Sequence, residues 1–351
     1  MHVRQLPPPS TAAASGLAAL LLAALAGSAA AKPAPLPKPR TITAAGRIEA
    51  LALDGTRLAY DVAANGTKQR CNTVYVWNVT RHTTTRVSGQ QTCGADNTST
   101  GAGVRELALA GSRVAWIVNQ GGNSESGDYL YSTLVAHPGE RVLASAFRTG
   151  DVSGVLTGNW LGGLVGAGTF LAVNHWATDS HGELTTASLE RVAARVSDIA
   201  QGTATMTARS TDGRQLAVLR SNGTVGIYST RAQLRRTVVP SSAQEVALRG
   251  DYLVVLTKAS VLEVYNSHSG RRLHTWRAAG AVHLDISSGL AAYSAGRTVH
   301  VVRLTTGKSV FGARAAATVT AVQLEPSGLA YAFRRPGDTG RIVFVPMSRL
   351  R

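Results

Sequence analysis

The stretch Glu245 to Arg277, EVALRGDYLVVLTKASVLEVYNSHSGRRLHTWR, contains one complete structural unit of this chain. A short apolar run around Val246 and Leu248 meets a polar turn at Arg249–Gly250–Asp251. A second apolar run follows from Leu253 to Leu256, and Val261 and Val264 mark a third that alternates. Ser269–Gly270 then turns the chain into a last run ending at Trp276. Short runs separated by turn residues read as four antiparallel strands. Such a sheet cannot bury both of its faces alone, so it needs copies of itself beside it.

Those copies are present. LALDGTRLAY (Leu51 to Tyr60) and LALAGSRVAW (Leu107 to Trp116) share Leu, Ala, Leu, Gly, Arg and Ala, and each closes on an aromatic. The frame returns more loosely at Ser210–Leu219, Val246–Leu256, Leu284–Tyr293 and Leu324–Phe333, with a poorer copy at Leu164–Val173. The glycines at 55, 111, 168, 213, 250, 289 and 328 sit where a tight hairpin turns. Each pair of runs leads into an alternating third strand, such as TVYVWNV (Thr73 to Val79) or TVHVVRL (Thr298 to Leu304). Period-two alternation is what a sheet stacked between sheets requires. A repeat of this length and composition predicts an all-β, seven-bladed β-propeller of four-stranded antiparallel blades. The blades are expected to start near residues 47, 104, 161, 206, 244, 281 and 318. The last unit ends after three strands, so Arg40–Ala44 is expected to supply its outer strand and close the ring.

VYNSHSGRRLHTW (264–276) and VVRLTTGKSVFG (301–312) resemble the third-strand, turn, fourth-strand stretch of the WD40-like, YVTN-type and PQQ-like propeller superfamily. The resemblance covers nearly the whole chain after residue 40 and implies architecture only. The Gly-His and Trp-Asp signatures of WD40 repeats do not occur, and no subfamily motif singles out an activity.

The N-terminus reads as a targeting segment. Arg4 precedes an apolar run, Leu17 to Ala26, and Ala29–Ala31 offers small residues for cleavage, so residues 1–31 are expected to be a signal peptide. Residues 32–40 (KPAPLPKPR) form a Pro-rich basic linker, and residues 41–351 the propeller domain. The protein is therefore expected to be secreted, monomeric and without a transmembrane segment once the signal is removed. Cys71 and Cys93 are an even pair in an exported chain and are expected to form a disulfide. Closing a loop of about 20 residues contributes roughly 3 kcal/mol in the chain-entropy model.

The net charge is +16, carried by 31 Arg and 5 Lys against 20 acids. The basic residues are scattered over all repeats without aromatic interleaving, which argues against specific nucleic-acid binding and points to anionic surfaces or proteins.

Chemistry is sparse. In a four-stranded meander the second-to-third loops and the blade-to-blade loops open on one face. In blades 1 to 3 these connections are long: 63–72, 119–128 and 175–182, with exits over 88–103 and 145–160. Both cysteines fall on that face. Within it, HWATDSHGE carries His175, Asp179, His181 and Glu183, side chains able to ligate a metal but at no established spacing. GGNSESGD (121–128) resembles a calcium loop without its frame. Glu106 and Glu245 lie five residues before their turn glycines, near the channel, where lactonase-type propellers hold acidic metal ligands. No Ser-His-Asp set is arguable. The sequence thus favours a non-catalytic protein-binding or scaffolding module, without cofactor, acting through the loop-rich face of blades 1 to 3. The rival readings are a metal-assisted lactonase, lyase or hydrolase, and adhesion to an anionic cell-surface polymer.

Overall fold

The computed structural model describes residues 36–63, 73–89, 102–122, 125–150, 155–202, 205–231 and 233–350. Residues 37–351 make one compact unit. Among the described residues the strands pair antiparallel throughout, in five four-stranded sheets and one eight-stranded sheet that contains two repeats. The inner strands of blades 1 to 7 are Leu51–Asp54, Ala102–Ala110, Leu156–Ala167, Met206–Thr211, Ala243–Arg249, Ala281–Ser287 and Val319–Glu325. Each touches the next, and the seventh returns to the first. The architecture is a β-propeller. The strand Arg40–Ala44 pairs with Gly340–Pro346 in the register Ile42↔Ile342, completing a four-stranded sheet from the two ends of the chain.

Stacking follows from the alternation of each strand. Seven apolar clusters lie among the described residues, one at each junction between neighbouring blades. Leu253, Val255 and Tyr265 of blade 5 pack against Ala217, Val225 and Ile227 of blade 4. The opposite face of blade 5, with Val254, Leu256 and Val264, packs on Ile286, Ala291 and Tyr293 of blade 6. Both faces of a blade are therefore apolar, and the sheet is stable only between two others. The repeated hairpin glycines occupy the left-handed region, as at Gly55 (φ 60°) and Gly111 (φ 56°), where a side chain is disfavoured.

A second layer of contacts links the blades around the ring. Glu106 accepts from the N–H of Leu164 at 2.6 Å, joining blades 2 and 3. Asn174 accepts from Ala208 at 2.5 Å, and Ser210 from Leu248 at 2.9 Å. Glu245 receives His283 and Leu284 at 3.0 and 2.6 Å, and Asp285 receives Leu324 at 2.7 Å. Thr320 donates to Ile48 O at 2.9 Å, and Asp54 accepts from the N–H of Gly111, so all seven junctions are bridged. At five junctions the donors are backbone N–H groups of the next inner strand; Gly111 donates from the hairpin turn, and at the junction of blades 7 and 1 the Thr320 hydroxyl is the donor. From blade 2 to blade 7 every inner strand carries a register shift, for instance between Val104 and Glu106 and between Val282 and Asp285. The inner strand is the edge of its sheet, so N–H groups on its free side have no ladder partner, and at Leu164, His283 and Leu284 a bulge adds to them; the neighbouring side chain satisfies these groups.

Candidate functional site

The long connections of blades 2 and 3 differ from the expected loops. The stretches read as 119–128 and 145–160 are strands over most of their length. The second and third strands of blade 2 run on to pair Gly121 with Ser126, and its outer strand extends from His137 to Gly150. The inner strand of blade 3 starts by pairing with that outer strand: Leu156↔Gly150, Thr157↔Thr149 and Gly158↔Arg148. Gly158 also pairs with Thr178 of the next strand, so one residue belongs to both repeats. Its φ of 127° and the carbonyl of Phe147, 2.3 Å from where a Cβ would stand, leave room for glycine alone. The result is a hydrogen-bonded strip continuous from blade 2 across blade 3, on the face opened by the second-to-third connections. Polar, glycine-rich stretches read as loops, but here strand partners satisfy the backbone, within blade 2 for 119–121 and 125–128 and across to blade 3 for 148–150. Blades 4 to 6 turn back directly after their second strands.

The strip is anchored by a buried carboxylate. Asp128 is 0% exposed and contacts Arg148 at 2.8 Å and Arg105 at 3.4 Å. Asn119 donates to it at 2.8 Å and the N–H of Leu161 at 3.2 Å. Arg105 also donates to the carbonyl of Leu161, and Arg148 lies over the Trp160 ring at 5.8 Å. Two guanidinium groups, an amide and a backbone N–H thus meet a carboxylate held out of water, where an unpartnered one would be costly. Trp160 stands directly opposite Trp176 across the strands. On the surface, Phe147 (56% exposed) meets Tyr129 edge-on at 5.6 Å, and Leu156 is 46% exposed. The strip thus combines a rigid backbone with large apolar side chains left in water.

The residues singled out in the sequence are brought together only in part. Asp179 accepts from the N–H groups of His181 (2.8 Å) and Glu183 (3.0 Å), which shapes the turn and holds its carboxyl below the usual range. His181 and Glu183 are exposed. His175 faces away from that turn, its Nδ1 3.5 Å from Glu190. Burial pushes Glu190 up, but hydrogen bonds from His175 and Ser188 outweigh it and its pKa ends below normal. Glu106 and Glu245 sit at the inner strands as expected and receive backbone N–H groups there; burial raises Glu106, against the Leu164 N–H bond and Arg105. Among the described residues no three His, Cys, Asp or Glu side chains converge on one metal position. Cys71 and Cys93, with the disulfide expected of them, Asn123 and most of 63–72 and 88–103 lie outside the described residues. Asp128 was visible in GGNSESGD, but its partners Arg105 and Arg148 carry no local signal, being separated from it by strand pairing.

At the opposite end of the ring, a cavity of about 150 Å³ is lined by the inner strands of all seven blades. Arg249 of blade 5 reaches past blade 6 to pair with Glu325 of blade 7. Burial lifts Asp285 to about 6 against its Leu324 N–H bond and Arg249, and lifts Glu325 to about 7 against Arg249.

The acids in blades 4 to 6 are largely engaged. Glu245, Glu263 and Asp285 bind backbone or hydroxyl groups inside the ring, and Asp251 pairs with His268. Several arginines point outward: Arg235, Arg236, Arg271, Arg272, Arg277 and Arg314 are all exposed on or beside the outer strands. The rim of blades 4 to 6 is thereby lined with positive charge.

No protein-family model matches the chain, and no curated protein sequence matches it. Solved structures do. The β-propeller domain of Myceliophteria thermophila Cps50 (Swd1) is 12% identical with a TM-score of 0.56, over 87% of this chain and 98% of that one. A chain in a crystal structure of the mitotic checkpoint complex is 15% identical with a TM-score of 0.54, over 99% and 100%. Saccharomyces cerevisiae Sqt1 is 9% identical with a TM-score of 0.51, over 87% and 98%. At these identities the likeness carries the fold alone.

Proposed function

We propose that this protein is an exported, non-catalytic β-propeller that binds a protein partner through its loop-rich face, centred on the strip over blades 2 and 3. The observation that carries the reading is the exposure of Phe147 and Leu156 on a sheet locked beneath by Asp128, Arg105 and Arg148. A pre-ordered surface loses little entropy on docking, and exposed aromatic side chains are the usual anchors of protein interfaces. That one structural neighbour is a chain of a multiprotein complex is in keeping with the proposal. The acids that an enzyme would need as metal ligands are occupied by backbone donors, which favours binding over metal-assisted hydrolysis.

The test is capture of partners from the native secretion by the wild type and by a Phe147→Ser/Leu156→Ser variant. Both positions are surface-exposed, so the variant is expected to unfold within about 1 kcal/mol of the wild type. A partner retained by the wild type at moderate salt and lost by the variant supports the reading. Identical capture by both sinks it.

The exposed arginines of the outer strands favour a second reading, adhesion to an anionic surface polymer. In that case binding to a polyanion matrix falls steeply between low and moderate salt. An Arg235→Ala/Arg236→Ala variant would elute earlier, and the Phe147 variant would not.

A further inference from the structure

A cavity of about 600 Å³ opens between blades 4 and 5, lined by Arg220, Ser221, Asn222, Ser241, Ser242 and Lys258 among others. It shares no residue with the strip over blades 2 and 3. Its size is that of a small-molecule site. Every lining side chain that carries charge is a cation, and most of the others are hydroxyls or an amide.

The cavity is braced. Arg220 donates to the Tyr228 hydroxyl at 2.7 Å and lies over that ring at 5.8 Å, which fixes the guanidinium while leaving most of its donors unused. The N–H of Lys258 donates to Ser242 O at 3.0 Å, tying the turn of blade 5 to the exit of blade 4, and Ser221 N donates to Thr205 O at 3.0 Å. Ser242 holds φ at 141°, a left-handed conformation that a serine adopts only under constraint. The Lys258 side chain is exposed and makes no hydrogen bond or ion pair with the described residues.

One carboxylate lies beneath the lining. Glu263 is buried and accepts from the Ser241 hydroxyl at 2.6 Å, the Ser241 N–H at 3.2 Å and the Tyr265 hydroxyl at 2.8 Å, with Arg272 at 3.5 Å. Burial pushes its pKa up, but these bonds outweigh it and the pKa ends below normal, so the group is ionised and balanced from below. Because the Ser241 proton is committed to Glu263, the lone pairs of that hydroxyl are left to accept from whatever fills the cavity. The remaining wall is aliphatic: Leu219, Val239, Pro240 and Ala243.

We propose that this cavity binds an anionic sugar, a hydroxylated ring carrying one carboxylate or phosphate. The anion would pair with Lys258 and the free N–H groups of Arg220. Ring hydroxyls would bond Ser241, Ser242 and Asn222, and the C–H face would rest on Val239 and Pro240. A free sugar acid, a sugar phosphate and the terminal residue of an acidic polysaccharide share this chemistry.

The test is isothermal titration of the propeller with glucuronate, glucose 6-phosphate, glucose and inorganic phosphate at physiological ionic strength. The expected result is binding of the first two at least about tenfold tighter than glucose or phosphate. Lys258→Ala should weaken it at least about fivefold, and Arg220→Lys should weaken it too, since lysine lacks the planar fork. The Arg235→Ala/Arg236→Ala rim variant should bind these monosaccharides as the wild type does. Phosphate binding as tightly as glucose 6-phosphate would mean an adventitious ion only. No binding of either charged sugar, or binding indifferent to Lys258, overturns the proposal. Binding of an acidic polysaccharide without either monosaccharide assigns that activity to the rim instead.

Discussion

Glu245 in blade 5 holds Leu284 in blade 6: its Oε2 accepts the Leu284 N–H at 2.6 Å, while Oε1 takes the neighbouring His283 N–H at 3.0 Å. His283 has φ at 58°, so the two donors stand in a bulge that no strand partner can satisfy. The carboxylate does for one blade what a further residue of ladder would have done.

Glu245→Ala should therefore cost about 2–3 kcal/mol, because two backbone donors lose a charged acceptor. Glu245→Gln, which keeps one acceptor oxygen, should cost less than half of that. Urea unfolding of the three proteins measures this. Adding a chelator should leave the wild-type midpoint where it is. If chelation destabilises the wild type as much as the alanine substitution does, Glu245 is a metal ligand.

The pH dependence of stability should slope toward acid. Burial raises Asp61 to about 7 against the N–H bonds from Ala50 and Glu49, and places Asp285 at about 6 and Glu325 at about 7. These folded-state values exceed those of the unfolded chain, near 4. The native state therefore binds extra protons between about pH 4 and 7, and the stability they bring is lost as pH rises through that window. Glu190 and Glu263, with lowered values, act in the opposite sense and only at lower pH, where their protonation costs stability. Asp61→Asn can still accept from both N–H groups and does not titrate. Thermal unfolding from pH 8 to pH 5 should rise less in that variant, by roughly 1–2 kcal/mol. Parallel curves for the two proteins would show that Asp61 does not titrate in this range.

Asp128 is the buried charge on which the strip depends. Asp128→Ala leaves Arg148, whose side chain is 9% exposed, without its counter-ion, at a cost of about 3–5 kcal/mol. Removing both charges should cost less than the sum of the single substitutions by at least about 1 kcal/mol. A double-mutant cycle by denaturant unfolding gives the coupling directly, and additivity would show the pair to be energetically idle.

Gly158→Ala tests the shared strand. The new Cβ would fall 2.3 Å from Phe147 O and 2.8 Å from Arg148 Cα, at a φ of 127°. About 2–3 kcal/mol should be lost, with faster amide exchange at 147–150 and 156–157 as the two repeats part. Gly312→Ala, where a Cβ meets nothing within 4 Å and φ is not positive, is the control and should be close to neutral.

The repeated hairpins were legible because each announces itself locally. Val261 and Val264 alternate within one strand, and Gly55 and Gly111 mark identical turns. The candidate site was legible only in outline. Asp128 and Glu106 could be read as acids near one face, but their meaning lies in Leu161 and Leu164, which strand pairing and bulges bring to them from more than thirty and fifty residues away. The stretches around Gly122 and Gly150 are polar and glycine-rich in the way loops are. They become strands because each finds a hydrogen-bonding edge, the first on the outer strand of its own blade and the second on the inner strand of blade 3.

What the chain determines by itself is the blade: short apolar runs of period two, cut by turn residues, form a meander wherever they occur, since both causes act within about ten residues. What only the tertiary structure decides is the use of the charges. Whether Glu245 binds a metal or a backbone amide, and whether an arginine is buried against Asp128 or displayed on the rim like Arg235, depends on which blade stands beside it. Electrostatic free energies in a folded chain are set by the distances and solvent access that packing creates, and no local run of sequence encodes either.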